Sequence, residues 1–135
     1  MSEKKRYVYQ VREVIRVVDG DTVDFRVGSS NTFTFDFGFH VKEYLSLDRE
    51  AVIRFRLAGI NTPEVHGATK AAGEAAKAEL IRLLSLGPIE VESIGQDKYG
   101  RWLAWVRVNE AGTILDINKW LVENKFAVEY LTERT

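Results

Sequence analysis

AVIRFRLAGINTPEVHGATKAAGEAAKAELIRLLSLGPIEVESI, Ala51–Ile94, is the stretch that decides the fold. Ala51–Leu57 (AVIRFRL) is an apolar, β-branched run that predicts a strand, with Arg54 and Arg56 on the face opposite Phe55. Ala58–Gly67 lacks periodicity and contains Thr62-Pro63, where proline restricts the residue before it, so it reads as an irregular loop. Thr69–Ser85 then predicts a helix. Ala72, Ala76, Leu80, Leu83 and Leu84 form its apolar stripe, Thr69 is a candidate N-cap, and Gly87-Pro88 stops it. Ile89–Ile94 returns to strand. A helix set between groups of strands points to a small α+β, mainly β domain, a barrel of the OB type with added helices.

The flanking sequence extends this pattern. Tyr7–Val18 predicts a strand, Asp19-Gly20-Asp21 a turn in which glycine tolerates positive φ, and Thr22–Val27 the returning strand. Gly28-Ser29-Ser30-Asn31 predicts a second turn. Beyond it Phe33, Phe35, Phe37 and Phe39 alternate with small or polar residues, which predicts four rings on one strand face. Val41–Glu50 is ambiguous. Towards the C-terminus, Gln96–Gly100 reads as a turn, Trp102–Val108 as a strand and Asn109–Gly112 as a turn. Asp116–Asn124 predicts a short helix with Ile117, Trp120 and Leu121 inward, and Phe126–Tyr130 is extended.

The 135 residues fit one domain over 7–135 after a disordered start at 1–6. The 45% hydrophobic content supports a core, and the formal charge of −1 argues against a protein that coats nucleic acid non-specifically. The absence of cysteine excludes disulfides and thiolate metal sites, and two isolated histidines argue against zinc. The polar start, with no apolar leader and no membrane-spanning run, leads to the expectation of a cytoplasmic protein without a membrane partner. No repeat, linker or low-complexity segment interrupts the chain.

Three segments carry chemistry. Asp19 and Asp21 place two carboxylates at a strand turn, a supply of hard oxygen for a cation such as Ca²⁺; alone, Asp-Gly-Asp is an ordinary hairpin turn. Arg56 at a strand end offers a planar fork that matches two phosphate oxygens, with Arg54 a competing candidate. Asn61, Thr62 and Glu64 follow on the loop, where Glu64 can accept a proton from water. Asp97-Lys98-Tyr99-Gly100-Arg101 presents a second arginine on a glycine turn, with Tyr99 placed to cover a phosphate or stack on a base. His40 and His66 read as solvated loop histidines. Trp102, Trp105 and Trp120 read as core or half-core residues.

Taken together and in this order, Val17-Val18-Asp19-Gly20-Asp21-Thr22, Phe55-Arg56-Leu57 with Thr62-Pro63-Glu64, and Asp97-Lys98-Tyr99-Gly100-Arg101 resemble the thermonuclease, or staphylococcal-nuclease-like, family. The resemblance runs from about Val14 to Tyr130. It implies a five-stranded OB-like barrel with about three helices, here with an elongated hairpin around 23–57. It implies Ca²⁺-dependent hydrolysis of DNA and RNA to 3′-phosphate products. By the same resemblance, Asp21, Asn61 and the Thr62 carbonyl would ligate Ca²⁺, with Asp19 in support. Glu64 would be the general base, Arg56 and Arg101 would bind the phosphate, and Lys98, Tyr99 and Tyr130 would contact substrate.

Two departures stand out. Asn61 occupies a position where the family usually has a metal-binding aspartate, which removes a negative charge and implies weaker Ca²⁺ binding. Gly28–Glu50 is longer than the family's usual hairpin, and its phenylalanine row is open to three roles: packing on the barrel, extending the hairpin, or making a dimer contact. A monomer is expected, with a dimer through the Phe33–Phe39 segment as the alternative. The alternative function is a catalytically weak OB-fold module for nucleic-acid binding or assembly.

Overall fold

The structure, a computed structural model, describes residues 7–130. The disordered start expected at 1–6 lies outside the described residues. In chain order, β1 is Tyr7–Asp19, β2 Thr22–Gly38, β3 Val41–Leu57 and β4 Ile60–Asn61. A single 3₁₀ turn at Gly67–Thr69 leads into α1, Lys70–Leu84. β5 (Ile89–Gln96), β6 (Trp102–Glu110), β7 (Thr113–Asp116), α2 (Ile117–Glu123) and β8 (Val128–Glu129) complete the fold.

Five strands close a barrel. β1 pairs antiparallel with β2 and β5, β2 with β3, and β5 with β6. A short parallel contact between β3 and β6, Phe55↔Trp102 to Leu57↔Ala104, shuts the ring. The barrel is the OB-like architecture expected, with two α-helices and the 3₁₀ turn in place of about three helices. Phe25, Phe55, Leu57, Val91 and Val106 fill its interior from alternate positions. α1 supplies Leu80 and Leu83, and α2 supplies Ile117 and Leu121, so each helix closes part of the core. Fully burying each such aliphatic or aromatic side chain stabilises the fold by about 1.5–3 kcal/mol.

Four expectations need correction. No turn forms at Gly28–Asn31; β2 runs through it, and the β2–β3 ladder continues from Thr22↔Arg56 to Asp36↔Lys42. Gly28 is a bare spot rather than a bend: an added Cβ would lie 2.1 Å from the Arg12 guanidinium, which crosses it to reach Asp48. The chain reverses instead at Phe39-His40, so three phenylalanines share the strand and the fourth lies in the turn. The ambiguous Val41–Glu50 is the first part of β3. In α1, Ala72 is exposed and Gly73 takes the buried place. Thr69 stands at the N-cap position without capping, because its hydroxyl donates to the Glu64 carbonyl (3.0 Å).

Candidate active site

The Asp19–Asp21 turn joins β1 to β2 at one end of the barrel. Its glycine does not adopt the positive φ that the sequence suggested. A Cβ at Gly20 would lie 2.7 Å from Ala76 Cβ and 3.0 Å from Thr62 Cγ2, so glycine lets the turn press against α1 and the Thr62 loop. Gly73 does the same from the helix side: a Cβ there would sit 2.1 Å from the Glu64 carbonyl oxygen. The two glycines set the height of the Asn61–Glu64 loop over the barrel end.

That contact brings distant residues together. The Thr62 amide donates to Asp21 Oδ2 (3.0 Å), and the Thr22 hydroxyl donates to Asp21 Oδ1 (3.1 Å). The Asp21 amide donates to Asp19 Oδ1 (3.1 Å). Burial, reinforced by the adjacent Asp21 carboxyl, pushes the Asp19 carboxyl up to about 6. Arg56 is buried behind this cluster. It donates to the Leu57 and Ile60 carbonyls (3.3 and 3.2 Å) and to Asn61 Oδ1 (2.5 Å), and its Nη2 lies 3.6 Å from Asp21 Oδ2. Tyr130 covers the guanidinium at 5.6 Å, held there by β4–β8 pairing and by its amide N–H, which donates to the Gly59 carbonyl (2.8 Å).

Arg56 also lines a cleft of about 320 Å³ together with Thr22, Arg54, Gly100, Arg101 and Trp102. Arg54 is clamped to Asp24 by two bonds of 2.7 and 3.0 Å, which hold the Asp24 carboxyl below its ordinary value. Asp97 organises the far wall, accepting from the Tyr99 and Arg101 amides (2.8 and 2.9 Å) and from Arg101 Nε (2.7 Å). Burial works to raise the Asp97 carboxyl, but these donors outweigh it and leave it lowered. Gly100 adopts φ +80° with open space where a Cβ would be, so the turn needs its conformation and not a close approach. Lys98 and Arg101 both lie 5.3 Å from the Tyr99 ring, which is exposed.

Of the residues singled out in the sequence, Asp19, Asp21, Arg56, Asn61, Thr62 and Tyr130 form one connected group. Arg101 stands across the cleft, with Tyr99 against its guanidinium and Lys98 on the same ring. Glu64 stands apart, with its side chain 76% exposed and 3.1 Å from His66 Nε2. Two contributors escaped sequence reading, and Asp97 was read only as part of its segment, without a role. Gly73 looks like any helix glycine, and only tertiary contact reveals its role. Asn118 is fully buried on α2; it accepts from the Val106 amide (3.0 Å) and donates to the Ala58 and Ala104 carbonyls (2.8 and 3.1 Å), anchoring the chain that leads into the site loop. Asp97 carried a usable signal, since aspartate before a glycine turn commonly accepts local amides.

The donor set suits a hard divalent cation. Two carboxylates crowd one turn, and Thr62 Oγ1 is buried with no hydrogen-bond partner among the described residues. The set is lean, however: among the described residues no three His, Cys, Asp or Glu side chains converge. Among them, too, no helix is long and apolar enough to cross a membrane.

The fold and site together define an OB-like barrel domain that carries two adjacent carboxylates, a buried arginine and a cleft of about 320 Å³. The staphylococcal nuclease homologue family model matches residues 54–135, and the chain belongs to that family. The matched part contains Arg56, Asn61–Glu64 and Arg101, while Asp19 and Asp21 precede it. An uncharacterized protein of Methanocaldococcus jannaschii, MJ1439, is 24% identical over 143 residues, covering 89% of this chain. The chain spans 59% of that relative's length. Among solved structures, the human TDRD1 extended Tudor domain, in complex with a symmetrically dimethylated peptide, aligns with a TM-score of 0.44 at 19% identity. That alignment covers 91% of this chain and 64% of the Tudor chain.

Proposed function

We propose that this protein is a Ca²⁺-dependent, sugar-nonspecific nuclease that hydrolyses phosphodiester bonds of DNA and RNA to 3′-phosphate products. One observation carries the reading. Arg56 touches the Asp21–Asn61–Thr62 group on one side and lines the cleft shared with Arg101 on the other. A scissile phosphate in that cleft would meet two guanidinium groups beside a cluster of hard oxygens.

Asp19, Asp21, Asn61 and Thr62 would hold the cation, which when bound supplies positive charge to a phosphate oxygen. The chain's own groups would do the rest. Arg56 and Arg101 would donate to non-bridging oxygens and stabilise the charge that grows on them, at about 3–4 kcal/mol each. Glu64 Oε would accept the proton of the attacking water after parting from His66, an exposed contact that costs little to break. Tyr99 and Lys98 would cover the phosphate from the cleft rim, and Tyr130 would steady Arg56.

A second reading, a weakly catalytic nucleic-acid-binding or assembly module, is favoured by a different observation. Arg56 already satisfies Asn61 Oδ1, and Glu64 is turned to His66, so the groups are bonded to each other. One experiment separates the two: cleavage of single-stranded DNA in excess Ca²⁺, with EDTA and Glu64→Ser as controls and fluorescence anisotropy as the binding readout. The nuclease reading expects cutting that EDTA abolishes and that Glu64→Ser lowers by about 10²–10⁴. Binding without cutting, from folded protein at tens of millimolar Ca²⁺, would establish the module instead.

A further inference from the structure

The odd-numbered residues of β2 carry Val23, Phe25 and Val27 into the barrel core, and the same face continues beyond the barrel as Phe33, Phe35 and Phe37. Ladder partners share a face, so Leu45 lies beside Phe33, Leu47 beside Asn31, Glu43 beside Phe35 and Arg49 beside Ser29. The opposite face is polar, with Thr32 beside Ser46, Thr34 beside Tyr44 and Asp36 beside Lys42. The apolar face is open: Phe33 is 48%, Phe35 50% and Phe37 66% exposed. A two-stranded ribbon with one bare apolar face is marginal alone, and such a patch marks a contact surface.

Charge selects what covers it. Between Gly28 and Glu50, Asp36, Glu43, Asp48 and Glu50 outnumber Lys42 and Arg49, so the ribbon repels a polyanion. On the apolar face the charged residues are Glu43 and Arg49, and neither has a side-chain partner among the described residues. Asp48 and Glu50, on the other face, are engaged by Arg12. Glu43 and Arg49 are equally far from Ser46 along β3. A two-fold axis crossing the ribbon at Ser46 therefore lays β3 antiparallel on a second β3. It places Leu45 on Leu47, Glu43 on Arg49, and Phe35 over the small Ser29 of the other copy. Ribbons pointing the same way would collide, because each barrel body rises on the side of this face.

We propose that the distal β2–β3 ribbon is a homodimer interface, in which the apolar faces of two copies pack antiparallel and Glu43 of each pairs with Arg49 of the other. An exposed aromatic side chain carries about 150–250 Å², so Phe33, Phe35, Val41, Leu45 and Leu47 at these exposures offer roughly 500 Å² per copy. The pair buries about 1,000 Å², the size at which specific interfaces begin.

Sedimentation velocity of the full chain, over about 1–500 μM, tests this. Wild type is expected to move reversibly from monomer to dimer. Glu43→Arg and Arg49→Glu each set like charges opposite one another twice, and each is expected to weaken the dimer at least about tenfold. Mixing the two single variants one to one makes both contacts complementary again and is expected to restore wild-type association as a heterodimer. A wild-type monomer throughout the range would overturn the proposal. So would association indifferent to both reversals, variants that do not recover on mixing, or open-ended larger species.

Discussion

Asn61 Oδ1 faces two demands. It accepts from Arg56 at 2.5 Å, and it belongs to the oxygen group proposed to hold the cation. An amide oxygen is the weaker ligand of a hard cation, so Asn61→Asp is expected to lower the Ca²⁺ concentration for half-maximal cleavage roughly tenfold, about 1.4 kcal/mol. A Ca²⁺ titration of the cleavage rate reads this directly; an unmoved midpoint would remove residue 61 from the metal site. Asn118 acts through structure instead. Its three buried hydrogen bonds join α2 to β6 and to Ala58, the residue after β3. Asn118→Ala is expected to destabilise the fold by about 2–4 kcal/mol, because it strands buried backbone groups. Urea unfolding measures that cost, and a loss below about 0.5 kcal/mol would mean that water replaces the amide.

The longest element pair is also the most irregular at its tip. Phe39 and His40, between the Gly38–Val41 pair, adopt φ of 50° and 66°, so the two central positions of a left-handed turn lack glycine. Such a turn matches the twist of a hairpin but is costly for side chains with a Cβ. The Phe39→Asn, His40→Gly double variant is expected to stabilise the ribbon by about 1–2 kcal/mol. The readout is slower amide hydrogen exchange across Thr32–Ser46 and Thr34–Tyr44, and unchanged exchange would show the turn to be unstrained. The turn was not legible in the sequence because Gly28-Ser29-Ser30-Asn31 has the better turn composition. What overrides that composition is Arg12, whose path to Asp48 passes over the bare Gly28 backbone.

Across the whole molecule, that same ion pair ties the ribbon to the barrel, because Arg12 belongs to β1. The Arg12 guanidinium, with help from the Ser30 hydroxyl, holds the Asp48 carboxyl at about 2. A carboxyl lowered on folding stabilises the fold at pH above its unfolded value, near about 3.9, and loses that contribution as pH falls through the folded value. Tethering is therefore expected to be intact above about pH 4 and to fade towards about pH 2. Carboxyl-detected NMR titration of Asp48 checks this, with Arg12→Ala expected to return the residue to an ordinary value. The Asp24–Arg54 clamp on the barrel wall works in the same direction.

Period, propensity and short motifs are local properties, and they suffice for most of the strands, the α1 stripe at Ala76, Leu80, Leu83 and Leu84, the family, and the residue types of the candidate site. How the pieces meet is not local, and the sequence is silent on it. Gly20 and Gly73 are needed because Thr62 and Glu64 pack against them, and Asn118 is needed because it reaches strands distant in sequence. Arg56, on the face away from the core, is buried against Asn61 and Asp21 because the chain after β3 and Tyr130 fold over it. The ribbon's open apolar face follows from a ladder that outruns the barrel, leaving one side of an alternating pattern with no layer to bury it.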